Sequence, residues 1–253
     1  MDAENLSASF HSYFRVSLAV SPKDQERLFR ARYQVYCREF GYEREEDCPG
    51  GRETDHFDGM ALHAQVVHKQ TNTLAGCVRL VTPTPAYAQL PIEEAWRDEL
   101  AHGSRHPSRF SADTTCEISR LAVPAAFRRR PHEGNSPIGD VRGLVFSDEE
   151  VRTFPLISLG LFLIAASMAH AVGRPNVYAI MEPRLARMLA RSGFHFKRIG
   201  DIRDYHGRRA PYYVHHEDAI LNLRSDLRPL YDDIDEQLVK EIRQCNPIYA
   251  ESP

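Results

Sequence analysis

Apolar residues recur at helical spacing near the start of the chain. A serine that can cap a helix, Ser21, is followed by a proline and an aspartate suited to a first turn. Aromatic residues then follow three or four positions apart: Phe29, Tyr33, Tyr36 and Phe40. This spacing places them on one helix face. The pattern predicts an amphipathic helix over about 22 to 40.

The next apolar segments alternate with polar residues, as strands do. Side chains from Leu62 to Val67 alternate, a polar turn follows, and a second apolar run extends from Leu74 to Val81, which together predict a β-hairpin. Further strands are predicted over 116–123, 176–181, about 194–199 and 211–221. Prolines and charged residues between 83 and 114 predict an irregular insertion with one short helix.

Three longer segments read as helices. An apolar one covers 155–172, a second begins at Pro183 and ends before Gly193, and a third lies near 225–245, where Leu230 and Ile234 begin an apolar stripe. The stretch 124–150 is basic and rich in proline and glycine, which predicts a second insertion. Antiparallel strands followed by a β-α-β unit predict one α/β domain over 1–253, with a mixed sheet and helices on both faces.

Composition excludes several classes of function. A net charge of −3, with 42% hydrophobic and 26% charged residues, is ordinary for a globular protein and argues against global nucleic-acid binding. The five cysteines form no CxxC pair and no HExxH pattern occurs, so we expect no metal and a reducing cytoplasm. The start lacks a secretory pattern, and the run 156–172 is shorter than the ~20 residues of a membrane span. We therefore expect a buried helix and no transmembrane segment.

Charged residues cluster beside the predicted strands. Glu53, Asp55 and Asp58 form an ExDxxD pattern just before the hairpin, where carboxylates can hold a cationic amine and accept its proton. A solvated acidic loop is the simpler alternative. Arg79 lies in the second hairpin strand, where it can brace the acids, bind a carboxylate or simply sit at an edge.

Glu117 and Arg120 interrupt a strand that is otherwise apolar. Buried charges need partners, so we expect this pair to have a role. Because the two residues are an odd number apart, a regular strand would point them to opposite faces. If they share one cleft, the strand must contain an irregularity such as a β-bulge.

Four motifs in register over roughly 25–125 resemble those of the autoinducer (acyl-homoserine-lactone) synthase family, within the GNAT-like acyltransferases. The helix motif Arg32-x-x-Val35-Tyr36 is similar to the family's RxxVF, and the ExDxxD pattern to its acidic motif. Arg79-Leu80 resembles its RL strand, and the segment from Glu117 to Val123 its E-[IV]-[ST]-R-[FL]-AV strand. The resemblance implies a GNAT-like, mostly antiparallel sheet.

The resemblance also implies site roles. Acyl transfer from acyl carrier protein to an amine would use Glu53 as the base, with Glu117 as the alternative, and Arg120 beside them. The substrate-binding positions implied are Arg32, Tyr36, Asp55, Asp58 and Arg79. No bound cofactor is implied, because the acyl-carrier or acyl-CoA thioester is itself a co-substrate.

Departures from the homoserine-lactone enzymes bear on the acceptor. Tyr42 stands where they usually carry tryptophan, and the segment from Tyr205 to Tyr212 looks more like N-acyl amino acid synthases and PEP-CTERM/exosortase-associated acyltransferases. We therefore expect an amino acid acceptor. Acyl-homoserine-lactone synthesis from S-adenosylmethionine and a non-catalytic lipid- or carrier-binding module are the alternatives.

The donor is expected to be a carrier protein. A CoA-dependent GNAT has a glycine-rich pyrophosphate loop after this strand, and 124–130 contains no glycine. Basic residues could supply a docking patch for an acidic carrier, with an ordinary solvated surface as the alternative. The candidate residues are Arg128, Arg129, Arg130, Arg184, Arg187 and Arg191, with Lys197 and Arg198 beside them.

Overall fold

The structure is a computed structural model and describes residues 3–84, 87, 89–97, 100, 103–128 and 146–245. Arg129 and Arg130, and most of the predicted insertion over 124–150, lie outside these residues. Within the described part, the N-terminal half of the sheet consists of antiparallel neighbours in chain order. They are β1 (Phe14–Leu18), β2 (Ala61–His68), β3 (Thr73–Val81) and β4 (Thr115–Ala122). The predicted hairpin is β2 and β3.

The C-terminal half of the sheet joins through one parallel pair. β5 (Asn176–Met181) lies parallel to β4, and β8 (Arg208–His215) is antiparallel to β5. Two short strands, β6 (Lys197–Arg198) and β7 (Arg203–Asp204), pair with β8. This arrangement confirms the predicted mixed, mostly antiparallel sheet.

Two predicted strand bounds are wrong. The strand predicted over 211–221 ends at His215, and α6 (His216–Leu221) follows, because Glu217 and Asp218 suit the first turn of a helix. The strand predicted over 194–199 is reduced to the two residues of β6, and Phe194 lies before it with its side chain buried in the core.

Helices cover both faces of the sheet. One face carries α1 (Ala3–Tyr13), α4 (Asp148–Ala171), α5 (Pro183–Ala190) and α7 (Arg228–Cys245), whose apolar side chains share one core cluster. The opposite face carries α2 (Pro22–Tyr33) and α3 (Pro91–Ala95). Sequence analysis assigned neither α1 nor β1, although both pack into the core.

The helix predicted over 22–40 changes its winding. Ser21 caps α2 by accepting a hydrogen bond from the backbone N–H of Asp24 at 3.1 Å, as predicted. The chain then continues as a π-helix over Gln34–Glu39. Such insertions occur mostly as single turns and often lie at functional sites. Here the turn directs Tyr36, whose hydroxyl donates to the carbonyl of Leu121 at 2.8 Å.

The long apolar helix belongs to the core. α4 begins at Asp148, earlier than predicted, because Ser147 and Glu150 form a capping box and Pro155 lies inside the helix. Ile157 and Leu161 are fully buried. Among the described residues, Glu150–Ala171 is the one helix long and apolar enough to cross a membrane, and 72% of its apolar window is buried inside the protein. Burial of this kind is that of a core helix, as predicted.

Candidate active site

A cleft lies where the two parallel strands separate. β4 and β5 pair only as far as Ile118 and Ala179. Beyond that point β4 pairs with β3 alone, and β5 pairs with β8 alone. The residues lining the cleft are Tyr36, Tyr42, Glu43, Pro91, Glu117, Ile118, Ser119, Arg120, Ile180, Tyr205, His206 and Arg209.

A β-bulge brings Glu117 and Arg120 into this one cleft. Cys77 lies opposite Ala122 and Arg79 opposite Ser119, so β4 contains one more residue than β3 over the same length. Arg120 has φ +49°, in the left-handed region, which costs a non-glycine residue about 1–2 kcal/mol. The irregularity predicted from the odd spacing is confirmed.

Arg32 holds two of the three acids. Its side chain is fully buried, and its Nε donates to Oε2 of Glu53 at 2.5 Å. Its two terminal nitrogens donate to both oxygens of Asp58, at 2.7 and 3.1 Å. Burial alone would raise the pKa of Asp58, but the neighbouring arginines outweigh it and hold that pKa well below its ordinary value. Asp58 is therefore ionised at every physiological pH.

Arg79 and Arg120 complete the network. Arg79 Nη1 donates to Asp55 at 2.5 Å and to Asp58 at 2.9 Å, and its Nε donates to Ser119 at 2.9 Å. Arg120 Nε donates to Oε1 of Glu53, and its Nη2 lies near Asp55, both at 2.9 Å. Three guanidinium groups thus meet three carboxylates, and the charges cancel.

The ExDxxD pattern is therefore not a solvated loop. Glu53 is 2% exposed, and each of its oxygens accepts a hydrogen bond from a different arginine. In this state the acids position the arginines, since buried charges require such pairing. The geometry gives Glu53 little freedom to take up a proton from a substrate.

Glu117 has a different environment. It is 1% exposed, and its Oε2 accepts a hydrogen bond from the backbone N–H of Ile92 at 2.7 Å. No arginine contacts it among the described residues. Burial raises the pKa of Glu117 to about 8, and the Ile92 hydrogen bond only partly offsets this. A carboxyl group with a pKa near the working pH is suited to general acid–base chemistry.

Cys116, the cysteine beside the predicted site, does not offer a nucleophile. Cys116 is fully buried on the α4 side of the sheet, and burial raises the pKa of its thiol to about 12. It packs as a small apolar residue, as expected. Cys37 and Cys48 are also buried, and their sulfur atoms lie 3.2 Å apart. In the described part of the chain, no group of three or more His, Cys, Asp or Glu side chains is placed to hold a metal ion.

The candidate carrier-binding arginines occupy different surfaces. Arg184, Arg187 and Arg191 are exposed on and just after α5. Burial raises the pKa of the Tyr212 hydroxyl, and Arg198 and Arg187 both oppose the increase, so each lies within electrostatic reach of that hydroxyl. Arg128 instead forms an ion pair with Glu39 and lies against the ring of Phe40.

Sequence analysis assigned no site role to nine of the twelve cleft residues, and five of those nine carry a charge or an aromatic ring. Four are contributed by the loop after the π-helix and by the β7–β8 turn: Tyr42, Glu43, Tyr205 and His206. The fifth, Arg209, lies on β8. The turn backbone has φ +52° at His206 and +91° at Gly207. The His-Gly dipeptide is the turn signal that could have marked this hairpin.

Comparison with known proteins supports the acyltransferase assignment. Residues 31–134 match the acetyltransferase (GNAT) domain family, a stretch that includes the ion-pair network and Glu117. No curated protein matches the chain by sequence. The predicted GNAT-like fold and the predicted enzyme class are confirmed.

Solved structures share the fold over most of the chain. BjaI, a CoA-dependent acyl-homoserine lactone synthase, has a TM-score of 0.58 at 20% identity, covering 88% of this chain and 89% of its own. TofI, solved with an inhibitor and MTA, has a TM-score of 0.56 at 16% identity, covering 81% of this chain and 91% of its own. FeeM, an N-acyl amino acid synthase from uncultured soil microbes, has a TM-score of 0.50 at 12% identity, covering 83% of this chain and 94% of its own. At these identities the likeness establishes a common fold.

Proposed function

We propose that this GNAT-type acyltransferase moves a fatty acyl group from acyl carrier protein to the amine of an amino acid, giving an N-acyl amino acid. The observation that carries the proposal is Glu117, a buried carboxyl group with a raised pKa in the cleft between β4 and β5. The same cleft holds Arg120, fixed by its ion pairs with Glu53 and Asp55.

The reaction follows from these groups. The acceptor nitrogen attacks the thioester carbonyl carbon, a C–N bond forms and the C–S bond breaks. Glu117, in its ionised form, takes the proton that the nitrogen loses and passes it to the departing sulfur, so the carrier leaves as a free thiol. The family resemblance implied Glu53 as the first candidate base. Because Arg32 and Arg120 each donate to an oxygen of Glu53, we favour Glu117 instead. The ion-pair network links α2, β3 and β4 beside the cleft through Arg32, Arg79 and Arg120.

A carrier protein donor is supported by surface charge. Acyl carrier proteins present acidic surfaces, and Arg184, Arg187 and Arg191 lie exposed on and just after α5. Arg128 lies elsewhere and is ion-paired with Glu39, which reduces the positive charge it offers to a carrier protein. Opposite charges on two surfaces mainly raise the rate of their encounter.

Acyl-homoserine-lactone synthesis is the second candidate. It is favoured by the fold shared with BjaI, which was solved with S-adenosylmethionine and isopentyl-CoA. Both candidates transfer an acyl group to an α-amine. They differ in the product, because a lactone forms only if the acceptor carboxylate is consumed in ring closure.

The test uses the purified protein with an acylated carrier protein. Free thiol release is followed with a mixture of amino acids and, separately, with S-adenosylmethionine, and products are identified by mass spectrometry. We expect an open-chain N-acyl amino acid, and Glu117→Gln should lower turnover by about 10²-fold or more. Glu94→Gln, an exposed carboxylate on the same short helix as Ile92, is the matched control. A lactone product would establish the second candidate, and binding without thiol release would indicate a carrier-binding module.

A further inference from the structure

One cation in the cleft lacks a protein partner. Of the two arginines that line the cleft, Arg120 is ion-paired with Glu53 and Asp55. Arg209 is half-buried, and its side chain forms no ion pair or hydrogen bond with any residue that the structure describes. Its Nε is fully buried and unsatisfied. An unsatisfied buried donor costs about 1–3 kcal/mol, which a bound anion would recover.

The strand geometry places Arg209 on the same face of the sheet as Glu117. Ala210 is buried in the cluster beneath α4, so its neighbours Arg209 and Pro211 point to the opposite face. Glu117 also points away from the α4 side, because Cys116 and Ile118 belong to that cluster. Both side chains therefore enter the cleft from one side.

Neighbouring side chains hold Arg209 in place without neutralising it. Its guanidinium lies 5.0 Å from the centre of the Tyr42 ring, a cation–π distance. Of the two acids that line the cleft, Glu43 lies 3.6 Å from Arg120 and 3.8 Å from His206, and Glu117 accepts its hydrogen bond from Ile92. The fork of Arg209 thus remains available to an anionic ligand.

Tyr205 connects the two ends of the site. Burial raises the pKa of its hydroxyl and Arg120 opposes the increase, while Glu43 and Glu117 raise the pKa further and Arg209 again opposes it. The carboxyl group of Glu117 and the guanidinium of Arg209 therefore both lie within electrostatic reach of one phenol. A small molecule beside Tyr205 would meet a base at one end and a cation at the other.

We propose that Arg209 binds the α-carboxylate of the amino acid acceptor, an assignment that rests on the function proposed above. Arginine binds carboxylates through two parallel hydrogen bonds, a geometry that fixes orientation as well as affinity. With its carboxylate at Arg209, the acceptor directs its amine towards Glu117. The α-carboxylate is held while acyl transfer occurs, so it remains in the product as a free acid.

Acceptor pairs that differ only in the carboxylate test the assignment. The amino acid that the wild type acylates best is compared with its carboxamide, using acyl carrier protein as donor. We expect the wild type to prefer the acid by at least about tenfold, as hydrogen bonds to charged groups are worth that much. Arg209→Gln should lower kcat/KM for the acid by about 10- to 100-fold and leave the carboxamide nearly unchanged. Arg209→Lys, which keeps the charge without the fork, should lie between.

Arg208→Gln is the matched control, because Arg208 is exposed and adjacent on the same strand. It should leave the acid preference intact. If the wild type acylates amino acids but Arg209→Gln keeps the same preference for the acid, the role of Arg209 is overturned while the proposed function stands. A raised KM for the carrier donor with unchanged acid preference would place the donor at Arg209 and also overturn it. A wild type that acylates no amino acid overturns the proposed function itself.

Discussion

Replacing Glu117 by glutamine should make the protein more stable at alkaline pH while it abolishes most activity. The folded protein holds a proton on Glu117 up to a pKa of about 8, against 4.5 for an ordinary glutamate. The unfolded chain releases that proton at much lower pH. The stability due to the neutral side chain is therefore complete below about pH 4.5 and is lost as pH rises through about pH 8.

The size of the effect follows from the same values. Each pH unit over which only the unfolded chain is ionised costs about 1.4 kcal/mol of unfolding free energy. Glutamine carries no titrating proton and can still accept the hydrogen bond from Ile92. Between about pH 6 and about pH 8, the stability of Glu117→Gln relative to wild type should therefore increase by about 2–3 kcal/mol.

Urea unfolding at a series of pH values measures this difference. Trp96 is the only tryptophan in the chain and is fully buried in the cluster that contains Tyr178, so its fluorescence reports unfolding on the Glu117 side of the sheet. Glu94→Gln, a solvated carboxylate, should show a difference that does not grow with pH. A gap between wild type and Glu117→Gln that stays constant across this range would show that Glu117 ionises normally, and would remove the argument for it as the base.

Three further outcomes are expected. Asp58→Asn should lower the unfolding free energy by about 3–5 kcal/mol, because the fully buried Arg32 and Arg79 each lose one of two charged partners and the three arginines of the network then face two carboxylates; a change below about 1 kcal/mol in urea unfolding would contradict this. Arg187→Glu should reduce kcat/KM for the acylated carrier at low salt but not for a small acyl thioester, and added salt should remove the wild-type advantage; equal loss on both donors would exclude this surface as the docking site. A mild disulfide oxidant should link Cys37 to Cys48, whose sulfurs already touch, and intact-protein mass with peptide mapping should show one internal crosslink; other pairings, or none, would refute it.

Local patterns predicted much of the fold. The cap at Ser21 fixed the start of α2, and the alternation on either side of a polar turn predicted β2 and β3. The odd spacing of Glu117 and Arg120 predicted the bulge, because only an irregular strand can bring both to one cleft. Each of these signals involves residues close together in sequence.

Features that depend on distant contacts were not predicted. Arg32 and Glu53 are separated by 21 residues, and nothing local indicates that the acid is neutralised by that arginine. Arg209 resembles any exposed strand arginine until β8 is paired with β5. The helix α1 is stabilised mainly by packing against the core, so its own sequence gave a weak signal.

The bulge at Arg120 also restricts how this protein can evolve. The three-residue interval between Glu117 and Arg120 works only with the left-handed backbone at Arg120, and that backbone is useful only with that interval. Deleting one residue between them would remove the bulge: Glu117 and Arg120 would lie two residues apart on one face of a regular strand, and Ala122 would still lie opposite Cys77. The extra residue is nevertheless tied to a contact, because a descendant that lost Ser119 would also lose the hydroxyl that accepts the hydrogen bond from Nε of Arg79.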